Sequence, residues 1–150
     1  MTDEGHDVEF GFYDMFSGIG AFHIAAEQQG GRCVGACDID KFVGQTYSEN
    51  FGIVPSKDIR DMRELPDGTD VLFAGFPCPT FSLAGKSKLR SLGRKEGLDE
   101  EERGQLIFEV ERIVAATDPK PDAIVLENVK HLLNHDGGQT FEVVLDLFRE

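Results

Sequence analysis

Short apolar runs alternate with amphipathic segments along this 150-residue chain, and this alternation constrains its fold more than any other feature. Residues 71–74 and 123–126 are wholly apolar, as expected for strands that are buried on both faces of a sheet. Residues 105–117, which lie between them, place apolar side chains at helical spacing. A strand, helix, strand order predicts a parallel sheet covered by helices.

The same alternation extends to both ends of the chain, where glycines and prolines bound the elements. The predicted strands are residues 10–16 and 32–38, and the predicted helices are a segment ending near residue 29, residues 41–51, and a last helix marked by Phe141, Val144, Leu145 and Phe148 that runs to the C-terminus. Residues 75–98 are predicted to be a loop. The predicted fold class is therefore α/β, a Rossmann-like parallel sheet, with residues 1–150 in one domain.

The composition limits the classes of protein to which the chain can belong. Apolar residues make up 40% and charged residues 29% of it, which is typical of a globular domain. No apolar run is long enough to span a bilayer, and the acidic residues 1–9 lack the apolar segment of a signal peptide. We therefore expect a cytoplasmic protein with no membrane partner.

The three cysteines are too few, and odd in number, for a disulfide framework. Cys33 and Cys37 are predicted to be small buried side chains, because a metal site would need further ligands nearby. Cys78 differs, since it follows an apolar strand, lies between Pro77 and Pro79, and precedes a basic stretch. Nearby cations favour the nucleophilic thiolate. Cys78 is therefore a candidate nucleophile, with inert packing as the alternative.

A glycine-containing turn follows the first predicted strand. Gly18 and Gly20 allow a tight turn and the close approach of a ligand, although His23 stands where a dinucleotide fingerprint has its third glycine. Asp38 ends the second strand about 20 residues further on, where a carboxylate can accept hydrogen bonds from ribose hydroxyls. These residues indicate an adenosine-containing cofactor, and a glycine turn beside a surface aspartate is the alternative.

Glu127 directly follows the last apolar strand. Partial desolvation there is expected to raise its pKa and to suit it to act as a general acid, with an ordinary solvated carboxylate as the alternative. His131 and His135 follow at four-residue spacing, but Glu127 is predicted at a strand end and residues 134–138 are turn-like. No metal site is predicted from these three residues.

A basic segment follows Cys78 and contains no acidic residue. It is either a solvated loop or a loop that contacts phosphate beside the active site, and its position favours the second interpretation. Its basic residues are Lys86, Lys88, Arg90, Arg94 and Lys95.

These features together resemble six motifs of the DNA cytosine-5 methyltransferase family, in the family's order and over nearly the whole chain. The matching segments are residues 14–20, 38–41, 58–59, 75–82, 103–109 and 127–129. The resemblance implies the parallel-sheet fold of S-adenosylmethionine-dependent methyltransferases. It also implies transfer of a methyl group to C5 of cytosine, a reaction typical of restriction–modification systems.

The resemblance further implies a role for individual residues. Cys78 would attack C6 of a cytosine flipped out of double-stranded DNA, and Glu127 would contact the same ring at N3. Asp38 would hold the ribose of S-adenosylmethionine, and Asp58 would bind the adenine amino group. The cofactor would also contact Phe16, Gly18, Ile19, Gly20, Ile39, Ile59 and Pro77.

The sequence departs from the family in two ways. Pro79 replaces the glutamine that usually follows the nucleophile, which affects the loop geometry. The later arginine-containing motif, the target-recognition region and the final helix are missing, so we expect a fold that is incomplete at its C-terminus. We therefore expect a fragment, or one subunit of a split enzyme whose partner polypeptide carries the missing motifs. The alternatives are a non-catalytic remnant that binds cofactor or a partner, and a relative that methylates cytosine in transfer RNA.

The net charge of −13 opposes binding to DNA phosphates. We therefore expect either that the DNA-binding surface lies on a segment absent from this chain, or that the acidic surface is an adaptation to high salt. If it is such an adaptation, the melting temperature will rise between low and molar KCl, because salt screens the repulsion between carboxylates. Thermal unfolding followed by circular dichroism measures this, and an unchanged melting temperature would contradict the salt explanation.

Overall fold

The computed structural model describes residues 10–56, 58–77 and 106–149. The chain divides into two compact units. In the first unit the described residues are 10–56, 58–75 and 113–126, and in the second they are 76–77, 106–112 and 127–149. The assignment of all 150 residues to one catalytic domain stays a prediction.

The first unit is built on a four-stranded parallel sheet with the strand order β2-β1-β3-β4. Its strands are β1 (Phe10–Met15), β2 (Gly31–Cys37), β3 (Val71–Ala74) and β4 (Ala123–Leu126). β1 and β3 lie inside the sheet and are the more buried strands, whereas Val125 of β4 is 40% exposed. The predicted α/β fold with a parallel sheet is confirmed.

Four α-helices accompany the strands of the described residues. They are α1 (Ala21–Glu27), α2 (Lys41–Phe51), α3 (Leu106–Ala116) and α4 (Gln139–Leu147). Two 3-10 segments, Ile59–Asp61 and Lys130–Gly138, were not predicted. The second contains the predicted turn, because His135, Asp136 and Gly137 depart from helical backbone angles.

The predicted bounds of β3, β4 and α2 are confirmed residue for residue. Three helix ends and the bounds of two strands were predicted wrongly. α3 ends at Ala116 rather than residue 117, β1 ends at Met15 rather than residue 16, and β2 spans Gly31–Cys37 rather than residues 32–38. α1 ends at Glu27 rather than near residue 29, and α4 ends at Leu147 because Phe148 leaves the helical region. The predicted loop over residues 75–98 lies largely outside the described residues.

The strands end level with one another at their carboxyl ends. Met15 pairs with both Cys37 and Ala74, and Ala74 pairs with Leu126. The segments that follow the four strands therefore start from one edge of the sheet, which is where ligands of open parallel sheets bind.

Aromatic side chains and a buried polar chain fill the core between β1, α1 and α2. Asp14 is fully buried on β1, and its Oδ2 lies 3.4 Å from the Tyr47 hydroxyl. That hydroxyl lies 2.6 Å from Nδ1 of His23, whose Nε2 lies 3.0 Å from Oε1 of Glu27. Desolvation raises the pKa of Asp14 to about 7, so the carboxyl group stays largely protonated below neutral pH.

The two described cysteines are free thiols. Cys37 is buried as predicted, whereas Cys33 is only half-buried. Burial raises the pKa of both thiols, which disfavours the reactive thiolate.

Among the helices of the described residues, none has the length and apolar character needed to cross a membrane.

Asp14→Asn tests the buried carboxyl group. Since the pKa of Asp14 is about 7 in the folded protein against 3.8 for the free group, its protonation stabilises the folded state at low pH. That contribution falls as the pH rises from 3.8 to about 7, by up to about 1.4 kcal/mol per pH unit. The unfolding free energy of the wild type minus that of Asp14→Asn should therefore decrease over this range in urea titrations.

The exposed Asp61→Asn serves as the matched control and should show no such trend. A constant difference between the wild type and Asp14→Asn would contradict the raised pKa.

Candidate active site

The turn after β1, residues 16–20, is held in an uncommon backbone conformation. The φ angles of Phe16, Gly18 and Gly20 are 58°, 54° and 95°. A positive φ at a residue other than glycine costs on the order of 1–3 kcal/mol and is concentrated at functional sites. Gly18 faces open space, because a Cβ atom added there would meet nothing within 4 Å. The turn therefore exposes its backbone to any ligand that binds at this edge of the sheet.

Asp38 connects this turn to the end of β2. Its Oδ2 accepts a hydrogen bond from the Gly18 amide at 2.9 Å, and its Oδ1 accepts one from the Asp40 amide at 2.9 Å. The Ser17 amide also donates to the Cys37 carbonyl at 3.0 Å. A carboxylate has roughly four acceptor positions, so Asp38 keeps capacity for ligand hydroxyl groups.

Asp58 begins the first 3-10 segment. Its carboxylate accepts hydrogen bonds from the backbone and the guanidinium of Arg60. These bonds hold the pKa of Asp58 below its usual range. Asp58 is therefore an ionised acceptor on the surface of the first unit.

Asp58 lies on a segment that borders the end of β2, where Asp38 lies. The Asp38 amide donates to the Ser56 carbonyl at 2.9 Å, so the segment that carries Asp58 runs beside the end of β2. Burial raises the pKa of the neighbouring Cys37 thiol, and both carboxylates raise it further. Burial raises the pKa of Asp14 as well, and the Asp38 carboxylate raises it further.

The predicted apolar contacts divide into two kinds. Ile19 and Ile39 are 65% and 67% exposed, so both can contact a ligand at the sheet edge. Ile59 is only 3% exposed and packs in the core. We expected its side chain to face the cofactor beside Asp58, but in a 3-10 turn neighbouring side chains point in different directions.

In the second unit, Asn128 is bonded to the segment that leads to Cys78. Its Nδ2 donates to the Phe76 carbonyl at 3.0 Å, and its Oδ1 accepts from the Val129 amide at 2.8 Å. Pro77 and Glu127 are both exposed. The partial desolvation expected of Glu127 is therefore not found, because the described residues leave this side chain open to solvent.

Several predicted residues lie outside the described residues. They are Cys78 and the basic residues Lys86, Lys88, Arg90, Arg94 and Lys95. Within residues 10–56, 58–77 and 106–149, no group of three His, Cys, Asp or Glu side chains could hold a metal ion.

Sequence reasoning assigned no role to Asp40, Phe51 or Asn128. Asp40 is the N-cap of α2, since its Oδ1 accepts from the amides of Phe42 and Val43 at 2.8 and 3.1 Å. An aspartate just before a helical pattern is a readable signal for a cap. Phe51 packs on Gly20, and the Asn128 side chain is hydrogen-bonded to the Phe76 carbonyl. The partners of each contact are far apart in the sequence, so no local pattern indicates them.

The sequence matches the family of C-5 cytosine-specific DNA methylases over residues 10–150. The chain therefore belongs to this family. It is 41% identical over 145 residues to the type II methyltransferase M.HpaII of Haemophilus parainfluenzae, covering 95% of this chain and 37% of that protein. It is also 41% identical over 141 residues to the type II methyltransferase M.HhaI of Haemophilus parahaemolyticus, covering 93% and 39%. The chain thus spans less than half of the length of these relatives.

Solved structures share the fold. The Entamoeba histolytica methyltransferase EhMeth superimposes with a TM-score of 0.67 at 20% identity, over 92% of this chain and 42% of that one. The S. pombe Dnmt2 methyltransferase superimposes with a TM-score of 0.64 at 17% identity, over 91% and 40%. At these identities the likeness concerns the fold alone.

Gly20→Ala tests the packing of the turn. A Cβ atom at Gly20 would overlap the ring of Phe51, and the φ of 95° is unfavourable for alanine. We expect a loss of about 1–3 kcal/mol in the free energy of unfolding, measured by urea denaturation.

Gly44→Ala is the matched control within α2, where an added Cβ meets nothing within 4 Å. It should stabilise the protein by about 0.5–1 kcal/mol through helix propensity. Equal effects of the two substitutions would contradict the close packing of Gly20 on Phe51.

Proposed function

We propose that this chain is the cofactor-binding and nucleophile-bearing part of a DNA cytosine-5 methyltransferase that uses S-adenosylmethionine. The observation that carries the proposal is the bond from the Gly18 amide to Asp38, which joins the glycine turn to the carboxylate after β2. Membership in the C-5 cytosine-specific DNA methylase family supports the reaction class.

The described residues fit an adenosine-containing cofactor. Gly18 leaves open space at the turn, and Asp38 retains acceptor capacity for two ribose hydroxyl groups. The exposed Ile39 offers an apolar surface for adenine, and Asp58 offers an ionised acceptor for its amino group. Phe16, Ile19 and Gly20 complete the proposed contacts in the first unit, where the buried Ile59 contributes through its backbone. The expected contact with Pro77 stays a prediction from the sequence.

The proposed chemistry begins with addition of the Cys78 sulfur to C6 of cytosine. One S–C bond forms and an electron pair moves towards N3, which makes C5 an enamine-like nucleophile. Glu127 would hold a proton at N3 and stabilise this charge shift. S-adenosylmethionine, when bound, would supply the methyl group that C5 accepts and would leave as S-adenosylhomocysteine. Loss of the C5 proton to solvent and return of the N3 proton to Glu127 would then restore the cytosine ring and expel the Cys78 sulfur.

The exposure of Glu127 adds a requirement to this proposal. A carboxylate in contact with water becomes an effective proton carrier for a base only when that base, on binding, removes the water from it. We propose that the flipped cytosine desolvates Glu127 on binding. While cytosine binds, the hydrogen bond from Asn128 to the Phe76 carbonyl would restrain the segment that leads to Cys78.

The proposed substrate is double-stranded DNA with the target base flipped out of the helix, since a duplex hides the C6 face of cytosine. Lys86, Lys88, Arg90, Arg94 and Lys95 would contact the opened backbone. The partner polypeptide and the cytoplasmic location stay predictions from the sequence.

Transfer of labelled methyl groups from S-adenosylmethionine to duplex DNA tests the proposal. Label should reach cytosine C5 with the full-length protein. Cys78→Ser should lower the rate at least about a thousandfold, because the attacking sulfur is lost.

Cys33→Ser is the matched control, since this half-buried thiol has no proposed role. A Cys78→Ser variant as active as the wild type would contradict the nucleophile. Transfer to transfer RNA but not to DNA would instead favour the RNA-methylating relative. A protein that binds S-adenosylhomocysteine but methylates neither would favour a non-catalytic remnant.

A further inference from the structure

Arg60 encloses the carboxylate of Asp58 from two directions. Its backbone amide lies 3.0 Å from Oδ1 of Asp58, and its Nε lies 3.1 Å from the same oxygen. Its second guanidinium nitrogen, Nη2, lies 2.9 Å from Oδ2. One arginine therefore fixes both the plane and the direction of this carboxylate, which a lysine ammonium could not do.

The arrangement allows a further donor to approach. Three N–H groups of Arg60 make four contacts with the carboxylate, because the Nε–H group is shared between Oδ1 at 3.1 Å and Oδ2 at 3.2 Å. The side chain of Asp58 is 24% exposed, so a ligand can reach it. The shared contact with Oδ2 is the longest of the four, so a ligand N–H group can replace it while the other three contacts keep Arg60 in place.

We propose that Arg60 is a specificity-determining residue of the cofactor site, which positions Asp58 to select adenine by its 6-amino group. The inference rests on the proposed function, because it takes Asp58 to face adenine. It adds a residue outside the six motifs that indicated the family.

Electrostatics supports the same assignment. The hydrogen bonds and charge of Arg60 lower the pKa of Asp58, so the carboxylate stays an acceptor at all physiological pH values. An ionised carboxylate attracts the amino group of adenine and repels the carbonyl oxygen of hypoxanthine at the same position. Loss of Arg60 would free the carboxylate to rotate and would weaken this discrimination.

The alternative role of Arg60 is purely local. The Arg60 side chain is 48% exposed, and exposed ion pairs contribute little to stability. A local role would affect folding of the 3-10 segment Ile59–Asp61 and leave ligand discrimination unchanged. The ratio of the affinities for an adenine ligand and a hypoxanthine ligand therefore separates the two roles. A general loosening of the 3-10 segment would weaken the binding of both ligands equally and leave this ratio unchanged.

Isothermal titration of the full-length protein with S-adenosylhomocysteine and with S-inosylhomocysteine provides this ratio. The wild type should bind the adenine compound more tightly. Arg60→Ala should reduce this preference about 5- to 10-fold, mainly by lowering the affinity for the adenine compound. Arg60→Lys keeps the charge without the planar fork and should also lose most of the preference. Arg63→Ala, a nearby exposed arginine with the same change of charge, should retain it.

A double-mutant cycle closes the test. In an Asp58→Asn background, Arg60→Ala should leave the ratio unchanged, because Arg60 acts through that carboxylate. An unchanged ratio in both Arg60 variants, with S-adenosylhomocysteine still bound, would overturn the inference and leave the proposed function standing. Failure of the wild type to bind S-adenosylhomocysteine would overturn both.

Discussion

The hydrogen bond from the Gly18 amide to the Asp38 carboxylate is the interaction on which the proposed cofactor site depends. It joins the turn after β1 to the turn after β2, and the same carboxylate also accepts from the Asp40 amide. It can do so only because Met15 and Cys37 end their strands as a pair. The Asp38 side chain therefore depends on the strand register, holds the turn after β1 and keeps acceptor capacity for a ligand.

Beneath that surface, packing holds the turn in its strained conformation. Gly20 lies against the ring of Phe51, and His23 stacks on the same ring with centroids 3.9 Å apart. His23 also reaches the Tyr47 hydroxyl, which lies near the buried Asp14. The missing third glycine of the dinucleotide fingerprint is thus replaced by an aromatic contact between α1 and α2. Gly20 belongs to the same turn as Phe16, so this packing supports the turn that carries the positive φ of Phe16.

The sequence predicted those elements whose own residues determine them. The bounds of β3, β4 and the capped helix α2 were correct to the residue, because apolar runs and glycine stops are local signals. The expected burial of β4 on both faces was wrong, since Ala123 and Val125 are exposed. Side-chain environment was less predictable. Ile59 was expected at the ligand surface and is buried, while Glu127 was expected to be desolvated and is exposed. Both depend on tertiary packing, and so does the fit of Phe51 against Gly20.

The positions of the residues proposed to bind the methyl donor, S-adenosylmethionine, have a consequence for how such proteins diversify. Apart from Pro77, they fall within residues 16–59 of the first unit, whereas Glu127 and Asn128 belong to the second. A continuous segment of this kind is inherited as one block. Substitutions outside this segment can therefore accumulate while most of the proposed contacts with the methyl donor stay unaltered.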